Sequence, residues 1–200
     1  IPPVQKIEQA EIRGLVNEDL LNVDPPIRTP VIAVYRDSFT DQTGARRSNS
    51  QFATFSTAIT QAPHAYLIRA LQHAGKNKDG FFSVVERVGL DHVTKERQLI
   101  RSTRESFDEK QKLPPLVFAG LIMEGGVIGY ESNTTSGGAG ARYLGIGTSK
   151  AYRRDTVQVS LRTVSVTTGK VLMEVLVSKT ILSASLDNDV FRFVADSTEL

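Results

Sequence analysis

Short apolar runs alternate with helical patterns over the first two thirds of the chain. Five segments carry this order: Val31–Tyr35, Ala62–Ala74, Phe81–Val85, Leu90–Phe107 and Leu116–Ser132. The first, third and fifth are compact apolar runs that favour buried strands, and the second and fourth place apolar residues at helical spacing. This order of strands and helices predicts an α/β domain, with the first strand inside the sheet.

The two predicted helices differ in character. In the first, Pro63 stands at an early-turn position and Gly75 lies just beyond the end, as is typical of helix boundaries. The second is charged and amphipathic. We expect four of its apolar side chains to face a core: Leu90, Val93, Leu99 and Ile100.

Two polar segments flank the first strand. Residues 1–30 predict an N-terminal arm, because prolines bracket a weak helical pattern near Lys6–Leu21 that Gly14 interrupts. The segment Asp37–Thr54 is polar and predicts a long loop. Loops of this length in a compact domain are usually functional or disordered.

The last third of the chain has the alternation of β-structure. Apolar residues alternate from Val157 to Val166 and again from Val171 to Val177, on either side of the turn Thr167–Lys170, which predicts a β-hairpin. The segment Lys179–Asp196 alternates around a second turn. Such a segment suits a barrel hairpin with lipid outside and water inside, and it equally suits a half-exposed hairpin on a soluble sheet.

The segment Glu131–Thr156 is rich in glycine and alternates poorly, so the residues alone predict a flexible loop. If it and the second segment are both hairpins, they provide four strands. Four strands are too few for a membrane barrel, the smallest of which need about eight. A barrel therefore requires an oligomer in which each subunit donates hairpins.

Composition and charge narrow the function classes. The chain has 200 residues, with 24 Lys and Arg against 22 Asp and Glu, a formal charge of +2 that gives no general reason to expect a nucleic-acid partner. The absence of cysteine excludes disulfides, thiolate metal sites and cysteine nucleophiles. No window approaches the roughly 20 apolar residues of a membrane helix, whereas a membrane β-barrel stays open because its strands alternate.

Motifs for catalysis or cofactor binding are incomplete. His64, His73 and His92 lack metal-ligand spacing. The glycine cluster at 137–147 has Tyr143 and Leu144 where a dinucleotide loop needs its third glycine. The basic doublets Arg46-Arg47 and Arg153-Arg154 indicate solvated loop ends more than nucleic-acid contacts. The sequence therefore predicts no cofactor, no metal and no enzymatic activity.

Four blocks of the sequence resemble the CsgG family, the outer-membrane curli secretion channel. They are MEGGVIGYESNTTSGGAGARYLGIG (Met123–Gly147), FSTAITQ (Phe55–Gln61), VERVGLDHVTKERQLIR (Val85–Arg101) and SKTILSASLDNDVFRF (Ser178–Phe193). The resemblance is collinear from about Val31 to Val194, which makes it far more specific than any single motif.

This resemblance implies a fold. Family members are outer-membrane lipoproteins whose subunits form a ring, usually described as nonameric, with a periplasmic α/β domain and two transmembrane β-barrel hairpins per subunit. The arm over residues 1–30 precedes the region of resemblance, which implies one domain over residues 31–200, with hairpins at about 130–157 and 178–200. Residues expected in these hairpins are Gly140, Arg142, Tyr143, Leu144, Ile146, Leu182, Ala184, Leu186, Phe191 and Phe193.

The resemblance also implies a function. The chain would be a subunit of a passive oligomeric diffusion channel that secretes unfolded, amyloid-forming curli subunits from the periplasm to the cell surface, as biofilm formation requires. The implied partners are these unfolded subunits, periplasmic and extracellular curli accessory proteins, further copies of the chain and the outer membrane.

The family channel narrows at a loop with a ring of Tyr, Asn and Phe side chains. Aligned through FSTA, the Phe falls on Phe55, the Asn on Thr54 and the Tyr on Ser50, so only the Phe is kept. Phe52 and Asn49 lie close enough to supply the lost bulk or amide. Because a ring of aromatic side chains forms a narrow apolar gasket, we expect Phe55 to line the constriction.

Two departures qualify the resemblance. The family's lipidated N-terminal cysteine has no counterpart here, since the sequence begins at Ile1 without Met and contains no cysteine. The family's region after the second hairpin is missing beyond Leu200. We therefore expect that the protein is lipid-anchored and that this sequence lacks its anchor cysteine. The chain is then either a membrane-inserted form or a soluble pre-pore form.

The residue pattern alone leaves a second hypothesis open. In it, the chain is a soluble periplasmic α/β binding or scaffold module in curli assembly. Both unusual segments are then surface hairpins, and Phe191 and Phe193 pack against the domain. This hypothesis predicts a monomer or a small oligomer.

Overall fold

The structure is a computed structural model that describes residues 17–45, 59–137, 150–185 and 192–193. Its elements are, in chain order, α1 (Glu18–Leu21), β1 (Val31–Ala33), β2 (Phe39–Asp41), α2 (Pro63–His73), β3 (Ser83–Val85), α3 (Leu90–Ser106), β4 (Leu121–Gly137), β5 (Lys150–Ser165), β6 (Val171–Ser185) and β7 (Arg192–Phe193). The predicted mixed α/β class is confirmed.

The described strands form one mixed sheet of seven. Their order is β3-β1-β4-β5-β6-β7, and β2 pairs with β4 further along that strand. The pairs β1–β3, β1–β4 and β2–β4 are parallel, whereas β4 through β7 are antiparallel. The sheet thus has a parallel part that carries the helices and an antiparallel part of long strands.

The core lies where the two parts of the sheet meet. Ile32 and Val34, on β1 and directly after it, are almost fully buried, which confirms the prediction of an internal first strand. They pack with Phe39, Leu71 and Met123, from β2, α2 and β4. Burying such side chains stabilises a fold by roughly 1.5–3 kcal/mol each.

Helix α2 follows the prediction closely. It begins at Pro63 and ends at His73, and Gly75 beyond it has a positive φ of 69°. The backbone nitrogen of Gly75 donates to the carbonyl of Leu20 at 2.8 Å, and that of Asn77 donates to Leu21 at 3.1 Å. The residues around α1 are therefore hydrogen-bonded to the turn that follows α2.

Three strand predictions need correction. The supposed loop from Asp37 contains β2, which pairs with Gly125–Val127 of β4. The third predicted segment begins as a strand only at Leu121. The second buried strand is limited to Ser83–Val85 at the edge of the sheet, where Ser83 is exposed and the two valines are half-buried. Short parallel strands of this kind depend on partners that are distant in sequence.

The predicted helix is confirmed as α3, but the prediction of which side chains face the core is partly wrong. Leu90 and Val93 are half-buried, whereas Leu99 and Ile100 are exposed. None of its residues is fully buried. Apolar positions at helical spacing indicate a helix, but they do not specify which element packs against it.

The predicted hairpin of the last third is confirmed. Strands β5 and β6 pair antiparallel on either side of residues 166–170, and Val164 lies opposite Val171. The register shifts by one residue at Thr163 and Val164. Period-two alternation was sufficient here because both strands are adjacent in sequence.

Gly125 and Gly126 lie where β4 is paired on both sides, with β2 and with β5. Their φ angles are 146° and 153°. A Cβ atom on Gly125 would overlap the carbonyl oxygen of Ser160, and one on Gly126 would overlap that of Thr40. Glycine is therefore required at both positions by the close approach of neighbouring backbones.

Gly126→Ala should lower the free energy of unfolding by about 2–4 kcal/mol, because the added methyl group forces β2 away from β4 or strains the backbone. Urea unfolding measures this loss. Gly120→Ala is the control, since the nearest heavy atom to its Cβ position lies at 3.8 Å and its φ is not positive. A change below about 1 kcal/mol is expected for the control. Equal losses in both variants would contradict the steric argument.

Candidate functional site

The long antiparallel strands extend well past the core. Strands β4 and β5 are paired from Leu121 and Ser165 to Gly137 and Lys150. The buried apolar residues on β4 end at Val127. About ten residues of β4 therefore continue beyond the core, a length of roughly 34 Å at about 3.4 Å per residue.

Strand β6 exposes apolar side chains on both faces. The register places Val175 opposite Leu161 and Val177 opposite Val159, so these valines share the face that holds the core. Both are exposed. On the other face, Leu176 is 66% exposed and Leu182 is 57% exposed. A large apolar surface on a sheet is typical of contact with another chain or with lipid.

The outer edges of this antiparallel sheet are open over most of their length. On β4, strands β1 and β2 occupy the outer side only up to Val127. On β6, strand β7 pairs only with Ser183 and Ala184. Within the described ranges, the remaining backbone of both edges has no strand partner. Such edges are templates for pairing with further strands.

A polar network lies on the core face just beyond the core. Tyr130 donates from Oη to Asp155 Oδ1 at 3.3 Å, and Arg153 donates from Nε to the same oxygen at 3.0 Å. A second nitrogen of Arg153 donates to Tyr130 Oη at 2.9 Å. The Asp155 side chain is only 15% exposed. Because all three groups are paired across β4 and β5, the network fixes their register where they leave the core.

This network was missed in the sequence. Arg153 was assigned to a solvated loop end, which is wrong, since it lies within β5 and is hydrogen-bonded. Tyr130 and Asp155 are 25 residues apart and meet only through the β4–β5 register. The signal available in the sequence was a charged pair at Arg153 and Asp155, two residues apart on one strand face.

The predicted constriction lies outside the described residues. These positions are Asn49, Ser50, Phe52, Thr54 and Phe55. The same holds for seven of the hairpin residues, Gly140, Arg142, Tyr143, Leu144, Ile146, Leu186 and Phe191. Of the others, Leu182 and Ala184 lie on β6 and Phe193 lies on β7.

The histidines are distributed over two helices. His64 and His73 lie on α2 and His92 lies on α3. His73 Nδ1 is 2.7 Å from the carbonyl oxygen of Arg69. In the part of the chain that the structure describes, no three His, Asp or Glu side chains are grouped as metal ligands. None of the described helices is both long and apolar enough to span a membrane.

Comparisons with known proteins agree on one family. The family model of the curli production assembly/transport component CsgG matches residues 13–199. The component of that name from Salmonella typhimurium is 38% identical over 198 residues, which covers 96% of this chain and 69% of the relative. Those from Escherichia coli K12 and Citrobacter koseri are each 38% identical over 181 residues, covering 88% of this chain and 62% of the relative. The chain thus spans about two thirds of these relatives.

Proposed function

Since this chain belongs to the family of the curli production assembly/transport component CsgG, we propose that its copies form an oligomeric channel in the outer membrane that exports unfolded curli subunits. One observation carries the proposal. The antiparallel strands β4 to β6 extend past the core, with exposed apolar side chains and open edges. Both features are what a sheet needs when further copies and lipid complete it.

The strand length suits a bilayer. A tilted transmembrane strand requires about 9–11 residues, and about ten residues of β4 lie past Val127. In the proposal, residues of about 130–157 form the first transmembrane hairpin and residues of about 178–200 form the second. Leu182 then faces lipid together with Ala184 and Leu186, because alternate residues of a strand point to the same face.

Strand direction supports a ring built by head-to-tail addition. Strands β4, β5, β6 and β7 alternate in direction, and four is an even number. The last strand of one copy can therefore pair antiparallel with β4 of the next copy. Repetition of one such heterologous interface closes into a ring when the rotation fits. We propose a nonameric ring, following the family resemblance.

The remaining parts of the proposal concern transport. The α/β part lies in the periplasm, the protein is held at the outer membrane by a lipid anchor, and cargo passes a constriction formed by Phe55 and its neighbours Asn49, Ser50, Phe52 and Thr54. Transport proceeds by diffusion without an enzymatic step or a cofactor. Periplasmic and extracellular curli accessory proteins act as partners by confining and receiving the unfolded chain.

Cross-linking tests the proposed ring. The chain contains no cysteine, so Asn133→Cys on β4 and Arg192→Cys on β7 introduce the only thiols. A short bismaleimide linker tolerates small offsets in register and should join neighbouring copies covalently. Denaturing gel electrophoresis should then show a ladder of oligomers up to the closed ring. The matched control pairs Asn133→Cys with Arg154→Cys, which lie opposite each other within one copy and should give no ladder. Monomer alone in both cases would exclude edge pairing.

Planar-bilayer recording tests the channel itself. The full-length, lipid-anchored protein, purified in detergent, should give large, stable and uniform conductance steps. Silence from protein that is folded and stays monomeric in detergent would instead favour the soluble scaffold.

A further inference from the structure

Helix α3 and the segment that follows it enclose a basic cleft. The cavity has a volume of about 680 Å³, a size that accepts a small ligand or a few residues of peptide. The α3 wall is formed by Arg97, Arg101, Arg104 and Glu105, and the opposite wall by Glu109, Lys110, Gln111, Lys112 and Leu113. None of these residues belongs to the proposed constriction or to the hairpins.

The charge of this cleft differs from that of the chain. Three arginines and two lysines face two glutamates, an excess of three positive charges in the cleft. The whole chain carries only +2, so the rest of the molecule is slightly acidic. The positive charge is therefore a local property of the cleft, which favours an anionic ligand there.

Two arginines hold the walls together. Arg97 donates from Nη2 to the carbonyl oxygen of Pro114 at 2.6 Å, and Arg104 donates from Nη1 to that of Gln111 at 2.9 Å. These bonds fix the following segment alongside α3. Because the walls are tied by backbone acceptors, the cleft exists before any ligand binds, which lowers the entropic cost of binding.

The other three cations of the cleft have no partner within it. Arg101, Lys110 and Lys112 form no hydrogen bond or ion pair with the described residues. Glu105 lies in the last turn of α3, and Glu109, which follows the helix, is 3.8 Å from Arg104. Arg101, Lys110 and Lys112 are exposed and form no ion pair among the described residues, so their charges are available to an anionic ligand.

The three arginines of the cleft lie along one row of α3. Arg97, Arg101 and Arg104 share one stripe of the helix and span about 10 Å at 1.5 Å per residue. Lys110 and Lys112 are two residues apart on the opposite wall. Acidic side chains at alternate positions of an extended peptide are about 7 Å apart, which suits this spacing. A single phosphate is too small to contact the whole of this row of about 10 Å.

The lining also suits a peptide in other respects. Guanidinium groups bind carboxylates in a bidentate manner, and the alkyl parts of the arginines together with Leu113 offer apolar contact. A long nucleic acid would extend beyond the cleft, and the rest of the chain has no excess of basic residues to bind it. We propose that this cleft binds acidic segments of extended polypeptide, with carboxylates at alternate positions. The proposal is independent of the proposed channel, because the cleft lies entirely within residues 97–113.

Fluorescence anisotropy tests this proposal with a labelled twelve-residue peptide that alternates Asp with Ser and Val. The protein should bind it, and a peptide with Asn in place of Asp should bind at least about tenfold more weakly. Arg101→Gln combined with Lys112→Gln should also weaken binding at least about tenfold, since each substitution removes a charge-assisted contact.

The matched control removes the same charge elsewhere. Lys95 lies on the opposite side of α3 and Lys76 lies in the turn after α2, so Lys76→Gln with Lys95→Gln should change the affinity less than about twofold. An equal loss in the control, equal binding of the Asn peptide, or no binding would each overturn the proposal. Full displacement by one equivalent of inorganic phosphate, or tighter binding of a single-stranded oligonucleotide, would also overturn it.

Discussion

Phe55→Ala should raise the single-channel conductance by at least about twofold while leaving ring assembly intact. The reason is that, in the proposed ring, every copy contributes the same side chain at one height. One substitution would therefore remove a whole ring of aromatic groups from the proposed constriction. The loss of this apolar gasket widens the aperture and eases its hydration, and both changes favour ion flow. Planar-bilayer recording of the two proteins at the same voltage and salt measures the effect.

The control for this measurement is Phe118→Ala. Phe118 precedes β4 and is 83% exposed, so its truncation removes an equal volume without opening the proposed constriction. It should leave the conductance unchanged. An unchanged conductance in Phe55→Ala, with a ring of normal size, would remove Phe55 from the constriction. In that case Phe52 would be the next candidate.

The elements that could be predicted from the sequence are those with local partners. The β5–β6 hairpin was predicted because its two strands are adjacent in the chain. Apolar residues alternate along both strands, and a tight turn joins them. Helix α2 was predicted because Pro63 and Gly75 mark its ends. In both cases the residues that specify the element are the residues that form it.

Strand β2 illustrates what the sequence does not reveal. Phe39–Asp41 is too short to show alternation, and its pairing with Gly125–Val127 joins residues more than 80 positions apart. The same holds for the network of Tyr130, Arg153 and Asp155, whose members meet only once β4 and β5 are in register. Long-range pairing of this kind is determined by the fold as a whole.

Helix α3 shows a different limit. Its apolar positions indicated a buried face, yet Leu99 and Ile100 are exposed. The same helix carries the arginine stripe of the basic cleft, which is visible in the sequence only as a charged face. A charged helix face becomes a candidate binding site when a second segment packs beside it. Here that segment follows α3 and is held by hydrogen bonds from Arg97 and Arg104.

Leu182→Arg should strongly reduce insertion into membranes. Its side chain is 57% exposed in the single copy, so the substitution should alter the stability of the isolated fold by no more than about 0.5 kcal/mol. A lipid-facing arginine costs about 2–4 kcal/mol at mid-membrane and about 0–1 kcal/mol near the interfaces. Because Arg154 lies opposite Leu182 on the same face, we expect a cost of about 1–2 kcal/mol per copy, which is a roughly 5- to 30-fold loss. In the proposed ring each copy carries the substitution, so the cost is multiplied over the copies.

Flotation of the protein with liposomes measures insertion, and urea unfolding measures stability. Ser183→Arg is the matched control, since successive residues of a strand point to opposite faces and Ser183 is proposed to face the aqueous interior. The control should float with liposomes nearly as well as the unaltered protein. If both variants float equally well, β6 does not face lipid at Leu182. If both lose insertion equally, arginine is excluded from both faces, and the proposed division between lipid and pore at this level of β6 is wrong.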